Sequence, residues 1–384
     1  RSLFYGARIY KERNDWTSAE SAFRKLNAEY PNSSFRPEAL FQLAWMKYLQ
    51  KDYQTALECL DQSPLKNGED EFNARTLYWR AVLLRQAGQP ERATEVEAYL
   101  LRNYWNTHYA FLLVMVHGRP WNPPASDRPL PPTADSTPME FQLAEELSRL
   151  GLMKEADGQL MWLERAGRLS DQMAMSISLL YLEVDDYYRS QLVARKLLKD
   201  RLNTPPPAEV AAWRLAYPRA FQKEVETYSA QFGLDPLLVY SLMRAESTYR
   251  PTIKSRAGAL GLMQVMPETG RAIARGLGEK GYNKNWLLSP DTNVRYGCYY
   301  LSNRLSQFAL GAEREQKLMT MVRALASYNA GPERVKRWAT RTDEMGLDAA
   351  AFMEEVPIKE TREYVKRILG FYFIYLNTYR GEAG

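Results

Sequence analysis

Only two cysteines and two histidines stand among the 384 residues. That scarcity excludes a disulfide framework and argues against a zinc site built from His and Cys. Long apolar runs are missing too. The longest clean ones, Ala110–Val116 and Ile368–Leu376, fall well short of the roughly 18–20 residues that cross a bilayer, which excludes a membrane-spanning helix in this sequence. No block of Lys or Arg appears, and 51 basic against 46 acidic side chains leave a formal charge of +5. Residues 1–220 hold 28 of each sign, whereas residues 221–384 hold 23 basic and 18 acidic. The excess in the last part fits an acidic polymer as partner or a plain solvated surface, and is too weak to argue for nucleic acid. Alternation of period two is absent as well. What remains is a globular composition, 45% hydrophobic and 25% charged, long enough for two or three domains. Helical periodicity dominates it, so the expected fold class is all-α.

An internal repeat organises the first half. Ala7, Ala44 and Ala81 are spaced by 37 positions, as are Ala19, Ala56 and Ala93, and the aromatics Phe4, Phe41 and Tyr78. A polar break separates the two Ala positions: Arg13-Asn14-Asp15, Lys51-Asp52-Tyr53, Gly88-Gln89-Pro90. This is the spacing of a helical hairpin whose small residues let two helices approach. A fourth copy follows at Phe141, Ala144 and Ala156 with Gly151 near the break, and a degenerate fifth at Ser178 and Ser190. The pattern is similar to tetratricopeptide-type repeats, whose period is about 34 residues. Cys59 falls at a repeat position also held by Ala22 and Val96, and Cys298 sits in an apolar helix segment, which argues against a bridge between them. His108 and His117 lie outside any constellation.

These signals divide the chain into TPR-like hairpins over 1–118, a linker or insertion over 119–138 with seven Pro in twenty positions, further hairpins over 139–203, a connecting segment over 204–220 that begins with Pro205-Pro206-Pro207, and a last domain over 221–384. The hairpins together read as an α-solenoid over 1–203. Surfaces of that kind bind protein partners or serve as architecture, and the sequence leaves both open.

Chemistry concentrates in the last domain. In Leu234–Ser247, Asp235 is a good N-cap and Pro236 suits the first helical position. Leu238, Leu242 and Glu246 then stand at i, i+4 and i+8 on one apolar face. A carboxyl at the end of such a face is costly to ionise. Its pKa rises by desolvation, which keeps a proton near neutral pH, as a general acid requires. The alternative is a structural Glu paired with Arg244 or Arg250. Next comes Ser255–Pro267, with Gly258 and Gly261 permitting tight turns and with Gln264 and Met266 alternating with apolar residues. Ser327-Tyr328-Asn329-Ala330-Gly331-Pro332 ends a helix, and Val356–Val365 opens the last one.

Taken together and in this order, residues 221–384 resemble the catalytic domain of bacterial soluble lytic transglycosylases, with its goose-type-lysozyme-like α fold. The resemblance rests on Glu246-Ser247, the GLMQVMP run at Gly261–Pro267, the YNAG element at Tyr328–Gly331 and the ETREYV segment at Glu360–Val365. Ser327 departs from it, standing where Ala is common. The resemblance implies cleavage of the β-1,4 bond between N-acetylmuramic acid and N-acetylglucosamine in peptidoglycan, leaving a 1,6-anhydromuramoyl end without water. It implies Glu246 as the single acid and base, with the substrate's N-acetyl group stabilising the developing charge. Ser247, Ser255, Gln264, Met266, Tyr328, Asn329 and Tyr364 match groove or active-site positions. Glu268, Asp291 and Glu333 look like surface or capping residues, so no second catalytic carboxylate stands out. Proton transfer calls for no metal and no cofactor.

Two other functions stay open at this level: a muramidase of the same fold that admits water, and a scaffold that only holds glycan. Peptidoglycan as substrate implies a periplasmic protein. The chain opens on Arg1 without a signal-like apolar stretch, which fits a targeting segment already removed or a longer chain beginning upstream.

Overall fold

The computed structural model describes residues 1–68, 70–123, 138–166, 169–206 and 208–379. Most of the proline-rich stretch, positions 124–137, lies outside the described residues. Among the latter there are twenty α-helices and no β-strand, in keeping with the all-α expectation. The chain divides into two compact units, Arg1–Trp121 and Asn122–Gly384.

The first unit holds α1 (Ser2–Glu12), α2 (Trp16–Glu29), α3 (Arg36–Leu49), α4 (Tyr53–Asp61), α5 (Asp70–Gln86), α6 (Pro90–Asn103) and α7 (His108–Phe111), the last running into a π-helical turn, Leu112–Val116. Helices α1 and α2, α3 and α4, and α5 and α6 pack as hairpins, and each hairpin packs on the next through α2–α3 and α4–α5. The repeated small residues explain the pairing. Ala7, Ala19, Ala56 and Ala93 have no exposed surface at all, and Phe4, Phe41 and Tyr78 are buried beside them. The polar breaks share one backbone device. Asn14 (φ 59°), Lys51 (φ 62°) and Gly88 (φ 74°) are each left-handed, and the following residue is the N-cap of the second helix. Asp15 accepts the Ser18 N–H at 3.1 Å and Asp52 accepts the Thr55 N–H at 3.2 Å, so the second helix begins with an N-cap. The third hairpin uses Pro90 in the first helical turn instead.

The second unit begins with two hairpins of the same kind, α8 (Met139–Arg149) with α9 (Met153–Ala166) and α10 (Asp171–Glu183) with α11 (Tyr187–Leu197). Gly151 (φ 75°) and Asp185 (φ 59°) make the left-handed breaks, and Asp186 caps α11 by accepting the Arg189 N–H at 2.9 Å. Ser178 and Ser190, the degenerate pair, are buried where the other copies carry Ala. Beyond them run α12 (Val210–Ala216), α13 (Gln222–Phe232), α14 (Pro236–Ser247), α15 (Pro267–Gly276), a 3-10 turn at Lys284–Leu288, α16 (Pro290–Gln307), α17 (Arg314–Ala330), α18 (Pro332–Glu344), α19 (Ala349–Glu355) and α20 (Lys359–Thr378). Helix α14 is central: it packs on α13 and along α20, while α17 bridges α16 and α20. Helix α12 touches α10, α11 and α20, so the last hairpin and the helical bundle belong to one compact body. Among the described residues no helix is long and apolar enough to cross a membrane.

Candidate active site

Helix α14 forms where the sequence places it. Asp235 accepts the Leu237 N–H at 2.8 Å as N-cap, and Pro236 occupies the first turn. Leu238 and Leu242 are buried, and the face they begin ends at Glu246, which keeps partial access to solvent. The helix then stops abruptly. Thr248 (φ 50°) and Tyr249 (φ 64°) are two consecutive left-handed residues without glycine, a conformation that costs roughly 1–2 kcal/mol per residue.

The Glu246 side chain is half-buried. Tyr364, from α20, donates its hydroxyl to Oε1 at 2.5 Å. Burial raises the pKa of Glu246, while the Tyr364 hydrogen bond and the charge of Arg367 pull it down. The balance stands at about 7. Tyr364 is itself buried. Its phenol is pushed up by burial, then by the neighbouring Glu246 carboxylate and by Tyr328, so it remains a donor. Neither arginine considered as a partner reaches Glu246. Arg250 donates to the Ser247 carbonyl at 3.0 Å and Arg244 turns to the other side of the helix. Of the other carboxylates, Glu268 and Glu333 are exposed beside Arg271 and Lys336, and Asp291 accepts the Tyr228 hydroxyl at 2.5 Å.

One wall is a small hairpin. Leu260 bridges both Lys254 and Val265 in antiparallel fashion. Its bends are left-handed at Gly258 (φ 95°), Gly261 (φ 77°) and Gln264 (φ 49°). Ser255 accepts the Ala259 N–H through Oγ at 2.9 Å and so braces the first bend. Gln264 donates from Nε2 to the Gly261 carbonyl at 2.8 Å, and Met266 is exposed at the hairpin's exit. Tyr328, at the end of α17, donates to the Met263 carbonyl at 2.8 Å, and its phenol is pushed up by burial and by the Glu246 carboxylate. The exposed Asn329 accepts from Thr361 at 2.6 Å, three residues before Tyr364.

The geometry therefore joins Glu246 with Tyr364 and Tyr328, and sets the Gln264–Met266 hairpin beside them. Ser247 is not brought in. It is buried and donates back to the Met243 carbonyl at 3.1 Å. Ser327 is buried, and among the described residues its hydroxyl has no hydrogen-bond partner, which fits a position where an apolar Ala would serve. One residue escaped the motifs altogether. Asn293, fully buried on α16, accepts the Met263 N–H at 2.7 Å and donates to the carbonyls of Leu260 at 2.8 Å and Leu287 at 2.7 Å. Its sequence signal is an amide in a helix interior, where Asn is otherwise disfavoured.

Residues 224–349 match the family described as the transglycosylase SLT domain. Residues 1–33 and 38–63 match tetratricopeptide repeats. The soluble lytic murein transglycosylase of Escherichia coli K12 is 35% identical over 156 residues, which is 40% of this chain and 23% of that protein. The membrane-bound lytic murein transglycosylase C of Actinobacillus succinogenes is 28% identical over 179 residues, 44% of this chain and 49% of that protein. Among solved structures, an inactive mutant of the lytic transglycosylase Slt of Pseudomonas aeruginosa superposes with a TM-score of 0.67 at 22% identity, over 93% of this chain and 54% of that one. The complex of a 70-kDa soluble lytic transglycosylase with bulgecin A gives 0.70, also at 22% identity, over 95% and 54%. At that identity the likeness speaks for the fold. The chain spans about a quarter of the E. coli protein's length and about half of the solved chains. Glu246, Tyr328 and the hairpin all lie within the matched range, whereas Tyr364 lies beyond it, on α20.

Proposed function

We propose that the chain is a peptidoglycan lytic transglycosylase. It would cleave the β-1,4 bond between N-acetylmuramic acid and N-acetylglucosamine and leave a 1,6-anhydromuramoyl end. One observation carries this: a desolvated carboxyl with a pKa of about 7, gripped by a buried tyrosine, in an SLT domain whose relatives are named murein transglycosylases.

Glu246 in its acid form gives its proton to the glycosidic oxygen as the bond to C1 breaks. The substrate's N-acetyl oxygen supports the positive charge at C1, an arrangement known among glycosidases that lack the usual second carboxylate. Glu246, now ionised, accepts the proton of the muramoyl C6 hydroxyl as that oxygen bonds to C1. No water is consumed and Glu246 ends in its starting state, so one carboxyl serves both steps. Gln264, Met266, Tyr328 and Asn329 are proposed to line the glycan trough. Ser255 braces its hairpin, and Ser247 stays inside the helix end, bonded to its own backbone. The substrate lies outside the cytoplasmic membrane, so the protein is proposed to work in the periplasm. The helical hairpins offer a surface for a protein partner.

Digestion of purified peptidoglycan followed by mass spectrometry tests the reading. Muropeptides lighter by one water and lacking a reducing end are expected. Reducing ends of full mass would show hydrolysis instead, and release of no product would refute an enzymatic role.

The hydrogen bond from Tyr364 stabilises the ionised form of Glu246. Tyr364→Phe is therefore expected to raise the Glu246 pKa above its value of about 7. The high-pH limb of the rate profile, set by loss of the acid's proton, would move to higher pH. At the optimum, turnover falls because the base form needed in the second step has lost its donor. A hydrogen bond to a charged group is worth about 1.5–3 kcal/mol, so the loss is roughly ten- to hundredfold. A limb that stays in place or moves to lower pH refutes the assignment.

A further inference from the structure

Two positions before Glu246, the same helix carries a second buried ionisable group. Residues two apart on an α-helix point away from each other, so Arg244 leaves α14 on the far side from the carboxyl. It is 3% exposed, and among the described residues it has no carboxylate partner. Nη1 donates to the Ala216 carbonyl at 2.7 Å and to the Tyr249 hydroxyl at 3.0 Å, and Nη2 reaches Oε1 of Gln191 at 3.4 Å. The ring of Tyr217 lies 3.8 Å from the guanidinium carbon, with Phe371 at 5.1 Å. Burying a cation without an anion costs several kcal/mol, and an apolar side chain of similar size fills such a space more cheaply. Packing alone gives no reason for an arginine here.

The hydrogen bonds continue beyond it. Tyr249 and Tyr375 share a hydroxyl contact at 2.5 Å, and Tyr375 donates to the Pro218 carbonyl at 2.9 Å. The order is then unique: Arg244 donates to Tyr249, Tyr249 to Tyr375, and Tyr375 to the backbone. Each hydroxyl accepts once and donates once. Tyr249 is also the second of the two left-handed residues that end α14 immediately after Glu246-Ser247. A strained turn persists only where its surroundings over-determine it, and this chain of bonds does so. Most of the holding groups lie outside the SLT domain match: Gln191 on α11, Ala216 and Pro218 in the connecting segment, Tyr375 on α20.

We propose that Arg244 is a positioning residue for the reaction at Glu246. Through Tyr249 it locks the turn that ends α14 and so holds the carboxyl against Tyr364, and the acceptors from α11 and the connecting segment make the last helical hairpin part of the catalytic unit. This rests on the reading of Glu246 as the acid. The charged and titratable groups facing Glu246 are Tyr364 and Arg367 from α20 and Tyr328 from α17. None of them belongs to the Arg244 cluster, so a change of titration caused from that side reports altered geometry.

The test uses the full chain as wild type, Tyr249→Phe, Gln191→Leu and Arg244→Lys. Initial rates on soluble peptidoglycan strands are measured from about pH 5 to about pH 9 to cover both limbs, with the unfolding midpoint of each protein. Tyr249→Phe keeps every charge. It is expected to lose about tenfold in kcat, since small misplacements of a reacting group are expensive, with KM within about twofold. Its high-pH limb moves to lower pH, because a loosened carboxyl is better solvated. Gln191→Leu moves it the same way by less, and Arg244→Lys by at least as much. If Arg244→Lys does not fold, the other two variants carry the test. An unmoved limb, with rates falling only as the folded fraction falls, overturns the positioning role. Wild-type protein that releases no anhydro product overturns the proposed function and this role with it; active wild type with an unmoved limb overturns this role alone.

Discussion

Glu246→Gln is expected to abolish turnover and to leave glycan binding within a few-fold of wild type. The amide matches the carboxyl in size and still accepts a hydrogen bond from Tyr364, so the trough keeps its shape, but it has no proton to give and no charge with which to take one back. Positioned acid–base groups contribute about 10²–10⁴-fold. In the proposed mechanism one group serves both steps, so a loss of at least about 10³-fold is expected. Stability should move the other way. The Glu246 pKa is raised from 4.5 to about 7 in the folded protein. Its stability contribution is therefore fully present below about pH 4.5, where the group is neutral folded or unfolded, and is lost as pH rises through about 7. Glutamine avoids that loss. The variant's advantage in urea unfolding should grow from near zero at low pH to about 3 kcal/mol at pH 8, an order-of-magnitude figure from linkage. Residual turnover above about one per cent of wild type, or loss of glycan binding, would sink the assignment.

What the sequence made legible was local. The hairpins could be read because Ala7 and Ala19, and their copies at 44, 56, 81 and 93, repeat at fixed spacing, and close helix packing demands small side chains at those points. The left-handed turns were half visible: Gly88 announces one, but Asn14 and Lys51 adopt the same conformation without glycine, because the capped helix that follows compensates. Helix α14 was legible from Asp235-Pro236 and the apolar spacing that ends at Glu246. The surroundings of Glu246 were not. Tyr364 lies 118 positions away and was found by resemblance, and Arg244 looked like an ion-pair partner when it belongs to the opposite face. Asn293 left no mark in any motif, since its acceptors and donor are backbone atoms of Leu260, Leu287 and Met263, whose identities a sequence pattern does not record. Contacts through the main chain, made across long separations, escape periodicity arguments because no side-chain rule marks their far end.

Gly261→Ala should be a severely damaging single-methyl change in the last domain. At φ 77° an added Cβ would lie 2.3 Å from Nδ2 of Asn293 and 2.3 Å from the Leu287 carbonyl oxygen, well inside contact distance, and one of the two is backbone that cannot swing away. The left-handed conformation itself costs roughly 1–2 kcal/mol for any side chain. Displacing Asn293 puts three buried hydrogen bonds at risk, each worth about 1–3 kcal/mol when a partner is stranded. A loss of about 3–5 kcal/mol in urea unfolding is therefore expected, at the upper end of single substitutions. Gly258→Ala supplies the control. Its φ is 95°, yet nothing lies within 4 Å of the added carbon, so only the conformational cost of roughly 1–2 kcal/mol applies. Activity should separate the two even at temperatures where both remain folded. The hairpin that Asn293 holds also carries Gln264 and Met266, and its Met263 carbonyl is the acceptor for Tyr328, so a shifted hairpin withdraws that tyrosine from beside Glu246. Equal effects of the two alanines on stability and turnover would show that Asn293 does not organise this wall of the trough.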